Sequence, residues 1–381
     1  MRIGVPKEVV HGEMRVAFVP SAVAQVKKKG HEVIIESSAG LGSMFSDDHY
    51  EKAGATIVKS AKDVYAQAEI IFKVQPPVVH PATGKNEAEL VREGTSYIGY
   101  LAPFTGAEAI RILAVRKITS FAMEFIPRIT RAQSMDSLSS MATLAGYKAV
   151  IIAADHLPRM FPLLMTAAGS ISPATVLVLG AGVAGLQAIA TAKRLGAKVE
   201  AFDPRIAVKE QIESLGATFI PMDISEDAST AGGYAKEQSV EFLRKEQEAI
   251  AARLPKADVV ITTAQIFGKK PPILITEEMV KLMPPGSVIV DLAAEQGGNC
   301  ELTRSNEVVQ KYGVSIHGAV NLPSKVPINA SQMYTKNLVT LFLYLFSDPL
   351  KGLDFEDEIV KGACLTHNGQ IRNETVKQLL H

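Results

Sequence analysis

The stretch Val176-Leu177-Val178-Leu179-Gly180-Ala181-Gly182-Val183-Ala184-Gly185 constrains the fold more than any other part of the chain. An apolar β-type run enters a Gly-x-Gly-x-x-Gly turn, and a helical pattern over residues 186–195 leaves it. A second β-type run follows and ends at Asp203. In such a unit Gly180 permits the tight turn, Gly182 lets the backbone approach a pyrophosphate, and Gly185 lets helix and strand pack closely. The helix N-terminus, with Val183 and Ala184 in its first turn, offers unpaired N–H groups and a favourable dipole to the anion. Asp203, roughly 20 positions beyond the turn, is placed to bond a ribose 2′-hydroxyl. Arg205 competes with that reading, since it can pair with a 2′-phosphate; it can also turn to solvent or to the pyrophosphate. A glycine turn alone could be purely structural. Strand, helix and terminal acid together point to a dinucleotide.

At 381 residues the chain exceeds one ordinary core, so two domains are expected. With 40 basic and 40 acidic residues the net charge is zero, which argues against a broad nucleic-acid-binding surface. Two cysteines, Cys300 and Cys364, suit a reducing compartment better than a disulfide framework. No zinc-type Cys/His spacing occurs, and no metal is expected. The N-terminal residues lack the apolar core of a signal peptide. The apolar run at 341–346 is far short of the ~20 residues that cross a bilayer, so the chain itself reads as soluble.

The first ~130 residues alternate β-type runs with helical patterns, as parallel sheets require. Ile3-Gly4-Val5, Glu32 to Glu36, Ile70 to Val74, Ser96 to Tyr100 and Thr119 to Met123 read as strands, and 21–29 as a helix. Residues 137–154 are alanine-rich and free of proline, a connecting helix whose weak point is Gly146. After the glycine turn, strands are expected at 199–202, 259–262, 287–291 and 314–316, with a last long helix over 330–346. The fold class is therefore α/β: two Rossmann-like parallel-sheet domains with an NAD-binding cleft between them. The first domain is discontinuous (1–137 and 322–381), and the Rossmann domain occupies 138–321. The polar, glycine-containing run 223–234 departs from the pattern; it reads as a solvated connector or as a lid that lays Tyr234 on a ligand, with a charged helix over 235–253 behind it.

The segment from Pro127 to Ser140 is dense in hydrogen-bonding side chains. Asp136 and the serines can cap the helix that follows. Capping leaves two arginines and a glutamine unexplained, and a nicotinamide carboxamide needs the donors and acceptors that Arg128, Gln133, Asp136 and Ser139 supply. Oxidation of an alcohol or amine also needs a general base. None of the eight histidines has a catalytic context; His317, at a strand end beside Gly318, is the single candidate. Hydride transfer between two nicotinamides needs no base in the hydride step, only two rings held face to face.

These residues resemble the soluble NAD(H)-binding component (alpha subunit, first domain) of proton-translocating NAD(P) transhydrogenase. The resemblance runs over almost the whole chain. It includes Pro6-Lys7-Glu8, Glu13 to Ala17, Arg131-Ala132-Gln133-Ser134-Met135-Asp136, Gly232-Gly233-Tyr234, Thr262-Thr263-Ala264, Asp291 to Glu295, Gly297-Gly298-Asn299-Cys300 and Asn321-Leu322-Pro323. It implies that Arg128, Gln133, Asp136 and Ser139 form the nicotinamide-side loop, with Gln133 reaching towards the partner nucleotide. It further implies that Asp203 is the ribose acid, Tyr234 a mobile-loop tyrosine, and Thr263, Ala264 and Gln265 part of the nucleotide site. The resemblance also implies that NAD(H) is the cofactor bound by this chain and NADP(H) the one on a partner component. The implied assembly is a homodimer on the cytoplasmic side of the inner membrane, attached through the NADP(H)-binding component and a membrane proton-channel component. Phe267 and Pro204 depart from the pattern beside the nucleotide site.

Alanine dehydrogenase is similar in fold and shares several motifs. It would use an arginine at Arg15, but its lysine would fall at Gln75, its histidine at Tyr100 and its aspartate at Glu295. An amide and a phenol cannot replace an ammonium and an imidazole at neutral pH. A third possibility is a non-catalytic NAD-binding module, which would gain no hydride-transfer activity from an NADP(H)-binding partner.

Overall fold

The computed structural model describes residues 1–221, 240–266, 268–347 and 352–380. The chain divides into two units, Met1–Met141 with Ser324–His381, and Ala142–Pro323. Strands β1 (Arg2–Val5), β2 (Glu32–Glu36), β3 (Thr56–Val58), β4 (Ile70–Phe72), β5 (Ser96–Gly99) and β6 (Thr119–Ala122) come first. Next come β7 (Leu164–Thr166), β8 (Gly169–Ile171), β9 (Thr175–Leu179), β10 (Lys198–Phe202), β11 (Thr218–Phe219), β12 (Val259–Thr262), β13 (Val288–Asp291), β14 (Val308–Lys311) and β15 (Val314–Gly318). The chain then returns to the first unit with β16 (Cys364–His367) and β17 (Gln370–Ile371).

The first sheet runs β17-β16-β6-β5-β4-β1-β2-β3 and the second β11-β10-β9-β12-β13-β15-β14. Within each, six consecutive strands are parallel in the doubly wound order 3-2-1-4-5-6, the arrangement of a Rossmann fold. Antiparallel strands extend one edge of each sheet, β16 and β17 on β6 and β14 on β15. Strands covered on both faces are mainly apolar, and β12 and β13 are buried at every position, with a polar residue only at the carboxyl end of each (Thr262 and Asp291). Along β9 the side chains alternate between two cores. Val176 and Val178 join one, while Leu177 and Leu179 join Phe202, Ile250 and Leu254 in the other.

The C-terminal segment completes the first unit through hydrogen bonds as well as packing. Residues 14–19 form no strand, so their backbone N–H groups need other acceptors. Ser324 Oγ accepts from Met14 N at 2.7 Å, Ser331 Oγ from Val16 N at 2.9 Å and Thr335 Oγ1 from Val19 N at 3.1 Å. Ser331 and Thr335 lie on the buried face of the helix Pro327–Phe346, which starts with proline at a position where no N–H partner is required.

The helix Ser137–His156 begins where the sequence places it and runs two residues further. By length and composition it could cross a membrane, but Ala149, Val150 and Ala153 lie in the core of the second unit. Gly146, which the sequence marks as the helix's weak point, proves to be a packing requirement. A Cβ there would lie 2.1 Å from the carbonyl oxygen of Ala184, so only glycine lets the two backbones approach so closely. A short hairpin of β7 and β8 carries exposed apolar residues, among them Leu163, Met165 and Ile171.

Candidate functional site

The glycine turn sits where the second sheet reverses its winding, between the carboxyl ends of β9 and β12. Gly180 has φ +99°, a left-handed conformation that glycine adopts without strain. A Cβ on Gly185 would stand 1.8 Å from the Gly180 carbonyl oxygen, so this glycine closes helix onto strand. Gly182, the N-cap of the helix Val183–Arg194, has nothing within 4 Å of its Cβ position. Val183 is exposed beside it and Ala184 half-buried. The three glycines thus divide between packing (Gly180, Gly185) and open space at a helix N-terminus (Gly182), the division an anion site needs.

Asp203 closes β10 and is buried. Its Oδ2 accepts from Ala181 N at 2.7 Å, which ties the acid to the turn itself. Arg205 does not turn to solvent, one of the options the sequence leaves open. Its Nε donates to Asp203 Oδ1 and one terminal nitrogen to Oδ2, both at 2.9 Å, and its backbone N donates to Oδ1. The physical reason is the fit of a planar guanidinium fork to a carboxylate two residues away. With Ala181 N the carboxylate accepts four hydrogen bonds, two on each oxygen. A ribose hydroxyl approaching Asp203 therefore competes with Arg205 for the carboxylate.

Thr263, Ala264 and Gln265 follow β12 across the same switch point. Thr263 Oγ1 donates towards the Leu179 and Gly180 carbonyls at 3.2 and 3.1 Å, bracing the turn from the neighbouring strand. Ala264 is held on both sides by Asn299, whose Oδ1 accepts from Ala264 N at 3.1 Å and whose Nδ2 donates to Ala264 O at 2.9 Å. Gln265 is exposed, with its Nε2 on Leu292 O at 2.7 Å. Asn299 is itself fixed by Asp291, a fully buried carboxylate that accepts from Asn299 N, Cys300 N, Ala293 N and the hydroxyls of Thr262 and Thr303. Sequence reasoning assigns no role to either residue. The available signal is a strand ending in aspartate, followed by Gly297-Gly298-Asn299.

In the first unit, Arg128, Gln133, Asp136 and Ser139 line one cavity of about 390 Å³ together with Pro127, Ile129, Thr130 and Ala132. Asp136 does cap the long helix: it accepts from Ser139 N at 2.9 Å and Ser139 Oγ at 2.6 Å. Gln133 is exposed, and its side-chain amide makes no hydrogen bond among the described residues. Its loop is anchored from both sides. Asn337 Nδ2 donates to Ser134 O at 2.9 Å, and Arg131 binds Tyr344 and Asp357 at 2.7 and 2.6 Å. Partial burial raises the Asp357 carboxyl, but the hydrogen bonds from Arg131 and Tyr344 outweigh it and hold it down at about 2. Arg131 is thus an anchor and does not line the cavity.

Arg15, Gln75, Tyr100 and Glu295, the positions compared with alanine dehydrogenase in the sequence, are each packed against or bonded to neighbouring groups. Arg15 is buried and forks onto Glu13 at 2.8 and 2.6 Å, while Gln75 Nε2 donates to the same carboxylate at 2.6 Å. Burial raises Glu13, yet these donors pull it down to about 2. The Tyr100 ring rests on Tyr334 with centroids 5.3 Å apart, and burial lifts its phenol well above the ordinary range. Glu295 accepts from Asn321 N at 2.6 Å. His317 is buried within β15, with its Nε2 2.9 Å from Ser315 Oγ and its ring edge-on to His156, a structural setting. Tyr234, the run 223–234 and Phe267 lie outside the described residues.

Doubly wound order, a glycine turn at the switch point and an acid closing the next strand define a Rossmann-type α/β protein. The "Alanine dehydrogenase/PNT, N-terminal domain" profile matches residues 4–145 and its C-terminal counterpart residues 149–374. The chain belongs to the alanine dehydrogenase/PNT family. It is 50% identical over 375 residues to the Rhodospirillum rubrum chain that forms the first portion of NAD(P) transhydrogenase subunit alpha, covering 97% of each chain. It is 32% identical to an alanine dehydrogenase of Methanococcus maripaludis, covering 99% of this chain and 95% of that one. Among solved structures, a transhydrogenase from Sinorhizobium meliloti superposes with a TM-score of 0.85 at 42% identity, covering 98% of this chain and all of the other.

Proposed function

We propose that this chain is the NAD(H)-binding component of a proton-translocating NAD(P) transhydrogenase. It passes hydride between its own NAD(H) and NADP(H) held on a partner component, and a membrane component couples the transfer to proton movement. The observation that carries this reading is the pair Gln75 and Tyr100. An amide and a phenol raised by burial stand where an alanine dehydrogenase would need an ammonium and an imidazole. Direct transfer from C4 of one nicotinamide to C4 of the other carries two electrons and one hydrogen, and releases no proton in that step. The 50% identity to the Rhodospirillum rubrum chain over nearly the full length of both supports the same reading.

In this reading the turn at Gly180, Gly182 and Gly185, with Val183 and Ala184, takes the pyrophosphate. Asp203 and Arg205 meet the adenosine ribose, and Thr263, Ala264 and Gln265 line the nucleotide. Arg128, Asp136 and Ser139 hold the carboxamide, while Gln133, exposed and without a hydrogen bond among the described residues, is left to reach the second nucleotide. The chain works as a homodimer on the cytoplasmic side of the membrane, and the exposed apolar hairpin β7–β8 supports self-association.

The nucleotide preference follows from Asp203. A buried carboxylate accepts from a 2′-hydroxyl and repels a 2′-phosphate, so NADH is expected to bind at least about tenfold more tightly than NADPH. Equilibrium fluorescence titration with each nucleotide measures this directly. Equal affinities would contradict the assignment of NAD(H) to this chain.

A further inference from the structure

Asn299 is fully buried, and its amide bridges two segments of the second unit. On one side it holds the peptide that follows β12. Ala264 N donates to its Oδ1 at 3.1 Å, and its Nδ2 donates to Ala264 O at 2.9 Å. On the other side the same Nδ2 donates to Pro272 O at 2.9 Å, while the Asn299 carbonyl accepts from Leu274 N and Ile275 N at 2.8 and 3.0 Å. Asn299 is held in turn from β13, whose terminal Asp291 accepts from its backbone N at 2.8 Å. An amide of this length presents two N–H groups and an acceptor at once, whereas a carboxylate would set oxygens against two carbonyls. The peptide so held lies against the glycine turn. A Cβ on Gly180 would stand 3.5 Å from Ala264 N and 2.5 Å from Thr263 Oγ1.

We infer that Asn299 is a positioning residue for dinucleotide binding: its amide sets the Ala264 peptide, and with it Thr263, against the turn that takes the pyrophosphate. The inference rests on the nucleotide reading given above and adds a residue that neither the glycine turn nor the acid closing β10 includes. The Asn299 Nδ2 serves two backbone carbonyls and its Oδ1 a backbone N–H, so the residue acts on the nucleotide through Ala264 and not by touching it. Backbone fixed in this way before the ligand arrives spares the complex the ordering that binding would otherwise demand.

The test is calorimetric titration of the whole chain with NAD+ at pH 6 and pH 9, well below the melting temperature, alongside thermal unfolding. Asn299→Asp keeps the shape and loses both donors, so at pH 9 NAD+ binding is expected to weaken about tenfold, the factor of one or two lost hydrogen bonds. A buried acid facing the Ala264 and Pro272 carbonyls favours its neutral form. At pH 6 it is protonated and donates again, and binding should return to within about threefold of wild type. Asn299→Ser carries no charge and should bind weakly at both pH values; it carries the expectation if the aspartate variant fails to fold. Variants that melt lower yet bind NAD+ as wild type does, or an aspartate variant whose loss is the same at both pH values, overturn the inference and leave the NAD(H) reading standing. Wild-type protein that binds no NAD+ overturns both.

Discussion

Gly185→Ala should cost about 1–3 kcal/mol of stability and abolish tight NADH binding. The added methyl would meet the Gly180 carbonyl oxygen at 1.8 Å, a backbone atom that cannot swing aside. Gly180 is itself committed, with φ +99° and its carbonyl accepting from Thr263 Oγ1. Relief therefore comes from moving the helix Val183–Arg194 off the end of β9, which takes its N-terminal N–H groups away from the pyrophosphate position. Gly182→Ala is the matched control. Its φ is −74° and nothing lies within 4 Å of the new methyl, so the fold should be kept while the methyl enters the space facing the nucleotide. In thermal unfolding the Gly185 variant is expected to melt several degrees lower, at about 2–4 °C per kcal/mol, and the Gly182 variant close to wild type. Nucleotide titration should show weakened binding in both. A Gly185 variant with unchanged melting and unchanged affinity would contradict the turn's assignment.

Gln133→Asn should slow hydride transfer about 10²-fold in the complex with an NADP(H)-binding component, with the NADH dissociation constant within about twofold. An error of about 1 Å in the alignment of two reacting groups has an effect of that size. The shorter side chain keeps the amide and loses one methylene of reach. Its loop should stay in place, because Asn337 and Arg131 hold it from either side without using the Gln133 side chain. An interaction made only when both rings are aligned changes the rate and not the ground-state affinity. Single-turnover rates and NADH titration separate the two. A defect confined to NADH affinity would remove Gln133 from the bridging role.

What can be read from the sequence follows from how parallel sheets are built. Central strands such as β9, β12 and β13 are buried on both faces and appear as uninterrupted apolar runs. Edge elements carry no such signal: β14 is largely exposed, and β11 is two residues long. The glycine turn is legible because each glycine has a local reason. Gly146 misleads because its reason is the backbone of Ala184, far away in sequence. Asp291 and Asn299 are hidden for a related cause. Their partners are backbone atoms and hydroxyls scattered from Thr262 to Thr303, and spacing alone does not show a hub of that kind.

This chain is expected to transfer hydride between nucleotides and not to oxidise a small substrate. This expectation is tested most directly by mixing the chain with an NADP(H)-binding component, NADH and an oxidised NADP analogue of distinct absorbance. Reduction of the analogue should occur only when both proteins and NADH are present, and the chain alone should not reduce NAD+ with alanine. Alanine-dependent NAD+ reduction by the chain alone, or no transfer in the full mixture although both nucleotides are bound, would contradict it.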